Sequence, residues 1–158
     1  MKLVELTVKD FVDVLGSDAP APGGGSAAAL AAAMGISLTK MVCELTIGKK
    51  KYAEFEEDMK LVFDESKALQ KHLLDAIDED TEAFNAVSAV FDMPKETDNE
   101  KAARRAAMQT ALQGAAESPF HMMKLMVNAL EITKRAIGKS NTNAASDLGV
   151  AALNLKAG

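Results

Sequence analysis

The chain has 158 residues, a length that suits one domain with one core, and a net charge of −5. That balance excludes the electrostatic footprint of a nucleic-acid binder, because the cations are dispersed apart from Lys49–Lys51 and Arg104–Arg105. A lone cysteine, Cys43, excludes an intramolecular disulfide and suits a reducing compartment; with no signal-like apolar stretch at Met1–Glu5, a cytoplasmic protein is expected.

Abundant Ala and nine Met, with no Trp and one Tyr, lean the chain toward helix. The first predicted element is a short helix from about Thr7 to Leu15, ended by Gly16. Ser17 to Gly25 holds two prolines and three glycines and reads as a loop with unusual backbone demands. A second helix starts at Gly25 or Ser26 and reaches Ile47, with Gly48 closing it. Small residues fill its first half, so a neighbouring backbone or a ligand can come close. Lys40, Glu44 and Lys49 interrupt its apolar run, so it is read as a core helix and no membrane span is expected.

A long helix is predicted from Tyr52 to Phe91, stopped by Met93-Pro94. Thr97-Asp98-Asn99-Glu100 is a capping-box pattern that opens the next one. Ser118-Pro119 predicts a fresh start, with Ser as N-cap and Pro at the first helical position, and this helix ends at Gly138. A loop from Lys139 to Thr142 leads to a final Ala-rich segment, Asn143 to Gly158. No segment alternates with period two. The expected architecture is all-α, a single-domain antiparallel bundle of about six helices.

Several patterns are set aside. Gly23-Gly24-Gly25-Ser26-Ala27-Ala28 reads as a relaxed dinucleotide fingerprint, but two prolines rather than a strand precede it, so no nucleotide is expected. Gly138-Lys139-Ser140 matches the end of a P-loop, but Thr133 stands where its first glycine belongs. His72 and His121 lack a partner at metal-ligand spacing, so no metal is expected either. Cys43, inside an apolar helix, reads as a small packed hydrophobe.

One residue breaks the pattern of its own helix. Leu73, Ile77, Asp80, Phe84, Val87 and Phe91 follow steps of four and three, which keeps them on one face, and Asp80 is the only polar member. Asp78 falls about 200° away, on the polar face. A carboxylate on a buried stripe is costly unless paired with a cation or protonated. Burial raises a carboxyl pKa, as a general acid working near neutrality requires. A structural ion pair or a cap to another helix explains the position equally well. The glycine loop also has two readings. Bare amides at the positive end of a helix form an anion site, whereas a close helix contact needs no side chain. Three consecutive glycines after proline exceed what packing usually asks and favour ligand contact.

Together these features resemble a known family. Ala21-Pro22-Gly23-Gly24-Gly25-Ser26, then Thr46-Ile47-Gly48-Lys49-Lys50-Lys51-Tyr52, are similar to the signature of the formiminotetrahydrofolate cyclodeaminase and methenyltetrahydrofolate cyclohydrolase family. Asp78-Glu79-Asp80-Thr81-Glu82-Ala83-Phe84, Met93-Pro94-Lys95 and Asn143-Ala144-Ala145-Ser146-Asp147-Leu148-Gly149 extend the resemblance over essentially the whole chain, in order.

The resemblance implies a helical homodimer of folate one-carbon metabolism, found alone or fused within an enzyme of histidine breakdown. Its substrate is a tetrahydrofolate derivative. The main expectation is closure of 5-formiminotetrahydrofolate to 5,10-methenyltetrahydrofolate with release of ammonia. The alternatives are 5,10-methenyltetrahydrofolate cyclohydrolase, or a non-catalytic helical folate-binding or dimerisation module. The catalytic acid of the family maps to Asp80, with Asp78 in reserve. Pro22, Gly23, Gly24, Gly25, Ser26, Lys49, Lys50, Tyr52 and Asp147 are implied as substrate-binding residues. Lys49–Lys51 are either contacts to the anionic glutamate tail or a solvated face, and Asp147 either joins the site or favours its helix dipole. The resemblance also implies a further helical stretch beyond Gly158, so a C-terminally truncated domain is expected.

Overall fold

The structure is a computed structural model and describes residues 2–158. Its α-helices are α1 (Val8–Leu15), α2 (Gly24–Glu44), α3 (Glu56–Phe91), α4 (Asp98–Ala136) and α5 (Ala145–Ala157). Short 3-10 turns at Leu3–Glu5, Lys50–Phe55 and Thr142–Ala144 link them, and no strand occurs among the described residues. Local chemistry sets several ends. The Thr7 hydroxyl caps α1 by accepting from the Asp10 amide at 3.1 Å. The Thr97 side chain accepts from the Glu100 amide, and the Glu100 carboxylate returns to the Thr97 amide at 2.8 Å, closing the capping box. Gly48 and Gly138 take φ of +76° and +77°, a region costly for other residues, and turn the chain out of α2 and α4.

Cross-helix contacts fix the directions. Ser26 meets Ile77 and Asp80, and Ser37 meets Gln70, so α2 and α3 are antiparallel. Arg135 reaches Glu65 while Arg104 reaches Val90, so α3 and α4 form an antiparallel hairpin. A Cβ at Gly35 would lie 2.8 Å from the Ala151 carbonyl oxygen, and one at Gly158 would lie 2.7 Å from that of Ala28, so α5 runs back along α2. The four long helices therefore alternate up and down, with α2 at the centre.

The core is aliphatic. Ile36, Val42, Met59, Val62 and Leu73 are completely buried, each worth about 1.5–3 kcal/mol against exposure. Inside it, the Thr133 hydroxyl donates to the Ala129 carbonyl, so the Thr39 hydroxyl is the donor in the 2.7 Å bond between the two threonines. By length and composition α2 resembles a membrane helix, but its Ala29, Ala32, Ala33 and Ile36 pack inside the bundle.

Five helices are present among the described residues, where about six were expected. The break expected at Ser118-Pro119 does not occur, because Pro119 lies inside the 39-residue α4. Its ring removes one hydrogen bond, but Pro119 is exposed, where solvent can meet the carbonyl left without a donor. Beyond it Met122, Met126 and Ala129 pack into the core and hold the helix on course. The expected start of the long helix at Tyr52 also moves, since a 3-10 turn occupies Lys50–Phe55 and α3 begins at Glu56.

At 36 and 39 residues, α3 and α4 are each more than about 50 Å long, against about 30 Å for the 21-residue α2. Their hairpin therefore projects past the amino end of α2.

Candidate functional site

The chain enters α2 through the buried Pro22, after a cis Ala21-Pro22 bond, and Gly23 stands at the N-cap. Asp80 of α3 faces this entry. The Ser26 amide donates to Asp80 Oδ2 at 3.0 Å, and the buried Ser26 hydroxyl lies 3.2 Å from the same oxygen and 2.9 Å from the Ile77 carbonyl. The Thr81 hydroxyl stands 3.3 Å from Ser26 Oγ. A Cβ on Gly25 would overlap the Asp80 carboxylate, 2.6 Å from Oδ2 and closer to Oδ1. Gly25 is thus required by proximity to Asp80, not by a special φ. Asp80 has no salt-bridge partner among the described residues, and Oδ1 accepts no hydrogen bond from them.

Beside this carboxylate is a cleft of about 370 Å³ between the start of α2 and the α3–α4 hairpin. Phe84, Val87, Leu112 and Ala115 form its apolar walls, Gly23 and Gly24 its rim, and Asp80 is its only charged lining residue. A Cβ at Gly23 or Gly24 would meet nothing within 4 Å, so packing within the chain does not explain these two glycines. Open backbone facing a cleft, at a helix end whose first amides have no carbonyl one turn behind, suits a ligand.

The stripe around Asp80 differs from the uniformly buried one expected. Leu73 and Ile77 are 0% and 2% exposed, whereas Phe84 and Phe91 are 43% and 62% exposed. Asp80 sits half-buried where the stripe leaves the core, because α3 outruns α2. The cationic partner that burial would have demanded is absent among the described residues.

Asp78 is placed otherwise than its polar phase suggested. It is half-buried, Oδ1 accepts from the Leu3 amide at 2.6 Å, and Oδ2 is buried without a partner. The N-terminal 3-10 turn covers this side of α3, so Asp78 tethers that turn and does not line the cleft.

The remaining implied binding residues lie at the other end of α2, about 30 Å away by the rise of a helix. There the Thr142 amide donates to the Tyr52 hydroxyl at 3.0 Å, and the Thr142 hydroxyl lies 3.2 Å from it. These two contacts, with a smaller contribution from the Lys51 ammonium, hold the Tyr52 pKa down at about 8. Lys49 and Lys50 are exposed on the same turn, and Asp147 is half-buried in the first turn of α5, just after Thr142. Within one chain the structure brings Pro22–Ser26 together with Asp80, and does not bring Lys49, Lys50, Tyr52 or Asp147 to them. Cys43 is buried, as its apolar helix suggested, and desolvation pushes its thiol up to about 11.

The sequence reading missed the cleft walls. Phe84 and Val87 were on the marked stripe, but nothing in sequence says that Leu112 and Ala115, three residues apart on α4, face them. Their pairing depends on how α4 folds back on α3.

Taken together, the fold and cleft are those of an all-helical domain whose one charged cleft group among the described residues is a carboxylate held by a helix amino end. A family described as formiminotransferase-cyclodeaminase matches residues 7–158, and the chain belongs to it. Methenyltetrahydrofolate cyclohydrolase of Methylorubrum extorquens is 46% identical over 152 residues, covering 96% of this chain and 73% of the relative. Formimidoyltransferase-cyclodeaminase of Rattus norvegicus is 30% identical over 156 residues, but the chain spans only 29% of that protein. The crystal structure of formiminotetrahydrofolate cyclodeaminase from Thermotoga maritima superposes with a TM-score of 0.84 at 28% identity, covering 99% of this chain and 74% of that one.

Proposed function

We propose that the chain is a methenyltetrahydrofolate cyclohydrolase, adding water to 5,10-methenyltetrahydrofolate to give 10-formyltetrahydrofolate. The Asp80 carboxylate carries this reading: Ser26 orients it on the wall of an otherwise uncharged cleft, with no cation of the protein's own paired to it among the described residues. The methenyl bridge is a cationic amidinium, so the substrate itself brings the missing counter-charge, and the attraction is strong where apolar walls exclude water. This choice revises the main expectation from sequence, because the 46% identical relative is named as a cyclohydrolase.

With Oδ2 held by Ser26, Oδ1 is left for the reaction. Water attacks the bridging carbon while Asp80 takes a proton from it. As the bond from that carbon to N5 breaks, Asp80 returns the proton to N5 and the carbinol proton goes to solvent. The formyl group stays on N10, and one proton is released per turnover. General acid–base help of this kind contributes about 10²–10⁴-fold. The open rim at Gly23 and Gly24 lets the ligand reach the α2 amides, fixing the reacting ring beside the carboxylate.

A second reading, cyclodeamination, is supported by the names of the rat and Thermotoga proteins. There N10 attacks the formimino carbon, and Asp80 protonates the departing ammonia. The homodimer implied by the resemblance belongs to the same proposal; Phe120, Met123 and Val127, exposed at helical spacing on α4, are apolar surface that such an assembly would cover.

Purified protein is offered each substrate in turn, following loss of methenyl absorbance in one assay and ammonia release from 5-formiminotetrahydrofolate in the other. Faster methenyl hydrolysis is expected. Faster ammonia release would replace the first reading with the second, and turnover of neither would leave a folate-binding or dimerisation module.

A further inference from the structure

We infer that Thr81 is a positioning residue for the reaction at Asp80: its hydroxyl donates to Ser26 Oγ and so directs the single Ser26 hydroxyl proton to the Asp80 carboxylate. The inference rests on the reading of Asp80 as the acid–base group and adds how the chain follows the proton that Asp80 gains and loses.

Thr81 departs from the habit of the other hydroxyls on these helices. Inside a helix, a Ser or Thr side chain commonly donates to the carbonyl one turn behind it. Ser37 donates to Ala33 at 2.6 Å, Thr46 to Val42 at 2.7 Å, Thr110 to Ala106 at 3.2 Å and Thr133 to Ala129 at 2.8 Å. The matching carbonyl for Thr81 is that of Ile77, and there the Ser26 hydroxyl, from another helix, donates at 2.9 Å instead. Thr81 is left with one partner among the described residues, Ser26 Oγ at 3.3 Å.

Counting protons sets the direction of that bond. Ser26 is completely buried and its hydroxyl carries one proton. Two neighbours can only accept it, the Ile77 carbonyl at 2.9 Å and the ionised Asp80 Oδ2 at 3.2 Å, and both are nearer than Thr81. The Ser26 proton therefore serves one of these two, and the Thr81 proton points to the Ser26 oxygen. Which acceptor Ser26 serves depends on the charge of Asp80, because a carboxylate draws a donor more strongly than a neutral carbonyl does. Once Oδ1 has taken a proton from the attacking water, that advantage is lost and the hydroxyl swings back to Ile77. The Ser26 amide, 3.0 Å from Oδ2, holds the carboxyl group in place throughout. Asp80 is thus charged and discharged at a fixed position, with a rotating hydroxyl that answers each change. Donation from Thr81 polarises Ser26 and strengthens the bond it makes to the carboxylate.

The test is steady-state kinetics on whichever of the two folate substrates the chain turns over. Thr81→Val keeps the shape and removes the hydroxyl; kcat should fall roughly tenfold, with KM within about twofold. Thr81→Ser restores the hydroxyl and should recover most of the rate. Ser26→Ala removes the oxygen through which Thr81 acts, so adding Thr81→Val to it should slow kcat by less than about twofold more. Wild-type kcat in Thr81→Val, a Thr81→Ser as slow as Thr81→Val, or losses that multiply in the double variant each overturn the inference. Melting temperatures check that the variants fold, and if Ser26→Ala does not, the valine and serine variants at position 81 decide between them. Asp80→Asn separates this inference from the reading beneath it. Near-normal turnover there removes both, whereas a crippled Asp80→Asn beside an unimpaired Thr81→Val refutes the role of Thr81 alone. Wild-type protein that turns over neither substrate sinks both.

Discussion

The two ends of α2 present the same kinds of residue, glycines beside polar side chains, and use them in opposite ways. At the carboxyl end the polar groups satisfy one another. The Thr46 hydroxyl donates to the Val42 carbonyl and accepts from the Asn141 amide, the Gly48 amide donates to Glu56, and the Thr142 amide donates to Tyr52. That end is a joint, tying the turn after α4 to the turn after α2. At the amino end Ser26 holds one oxygen of Asp80, the other is left free, and two glycines stand open to a cleft. A hydrogen-bonded cluster that completes itself stabilises a fold. One that stops a bond short, beside empty space, is arranged for something that is not part of the chain.

The comparison breaks first at Asp80. Asp80→Asn keeps the shape and removes the charge and the proton carrier, so kcat/KM for the methenyl substrate should fall by about 10²–10⁴-fold. The melting temperature should change little, and near-normal turnover would remove Asp80 from the mechanism. Gly25→Ala comes next. The added methyl must displace the carboxylate, so a smaller but clear loss of kcat is expected, with about 1–3 kcal/mol of overpacking cost in denaturant unfolding. An alanine variant that is stable and fully active would mean that the contact yields easily.

At the joint the signature should be different. Tyr52→Phe is expected to lower the melting temperature while altering kcat and KM far less than Asp80→Asn does; the reverse ranking would move the carboxyl end into the active site. Tyr52 is the only tyrosine and the chain has no tryptophan, so its ionisation can be followed alone by ultraviolet absorbance. A midpoint near 8 is expected in the folded protein, against about 10 in urea. Since the folded state loses the proton first, stability should rise with pH between those values; the contribution is fully present above the unfolded pKa and is lost as pH falls through the folded one. A folded midpoint near 10 would mean that the Thr142 contacts do not form. The smallest effect is at Cys43, whose thiol, pushed up to about 11 by burial, should react with a disulfide reagent only at the rate of unfolding. Rapid labelling of the native protein would place it at the surface.

Much of the fold was legible because local rules dominated. Thr7, Gly16, Thr97 with Glu100, and Gly138 marked helix ends through hydrogen bonds or backbone conformations that neighbours in sequence supply, whereas α2, expected to reach Ile47, ends at Glu44. Ser118-Pro119 misled for the same reason. The local preference for a helix start was real, but the packing of Met122, Met126 and Ala129 beyond an exposed proline outweighed it. The candidate site was half legible. Helical phase singled out Asp80, but the same phase took Asp78 for a solvated residue, because the 3-10 turn at Leu3 that covers it lies far away in sequence.

By itself the sequence determined the helical class, most helix ends, the glycine-rich entry to α2 and the one carboxylate on an apolar stripe, all consequences of periodicity and short-range hydrogen bonding. Only the tertiary structure decided that the stripe emerges from the core at Asp80, that α4 supplies the facing wall, and that Lys49, Tyr52 and Asp147 stand a helix length from the cleft. Those facts depend on the unequal lengths of packed helices and on which faces meet, which no window of neighbouring residues contains.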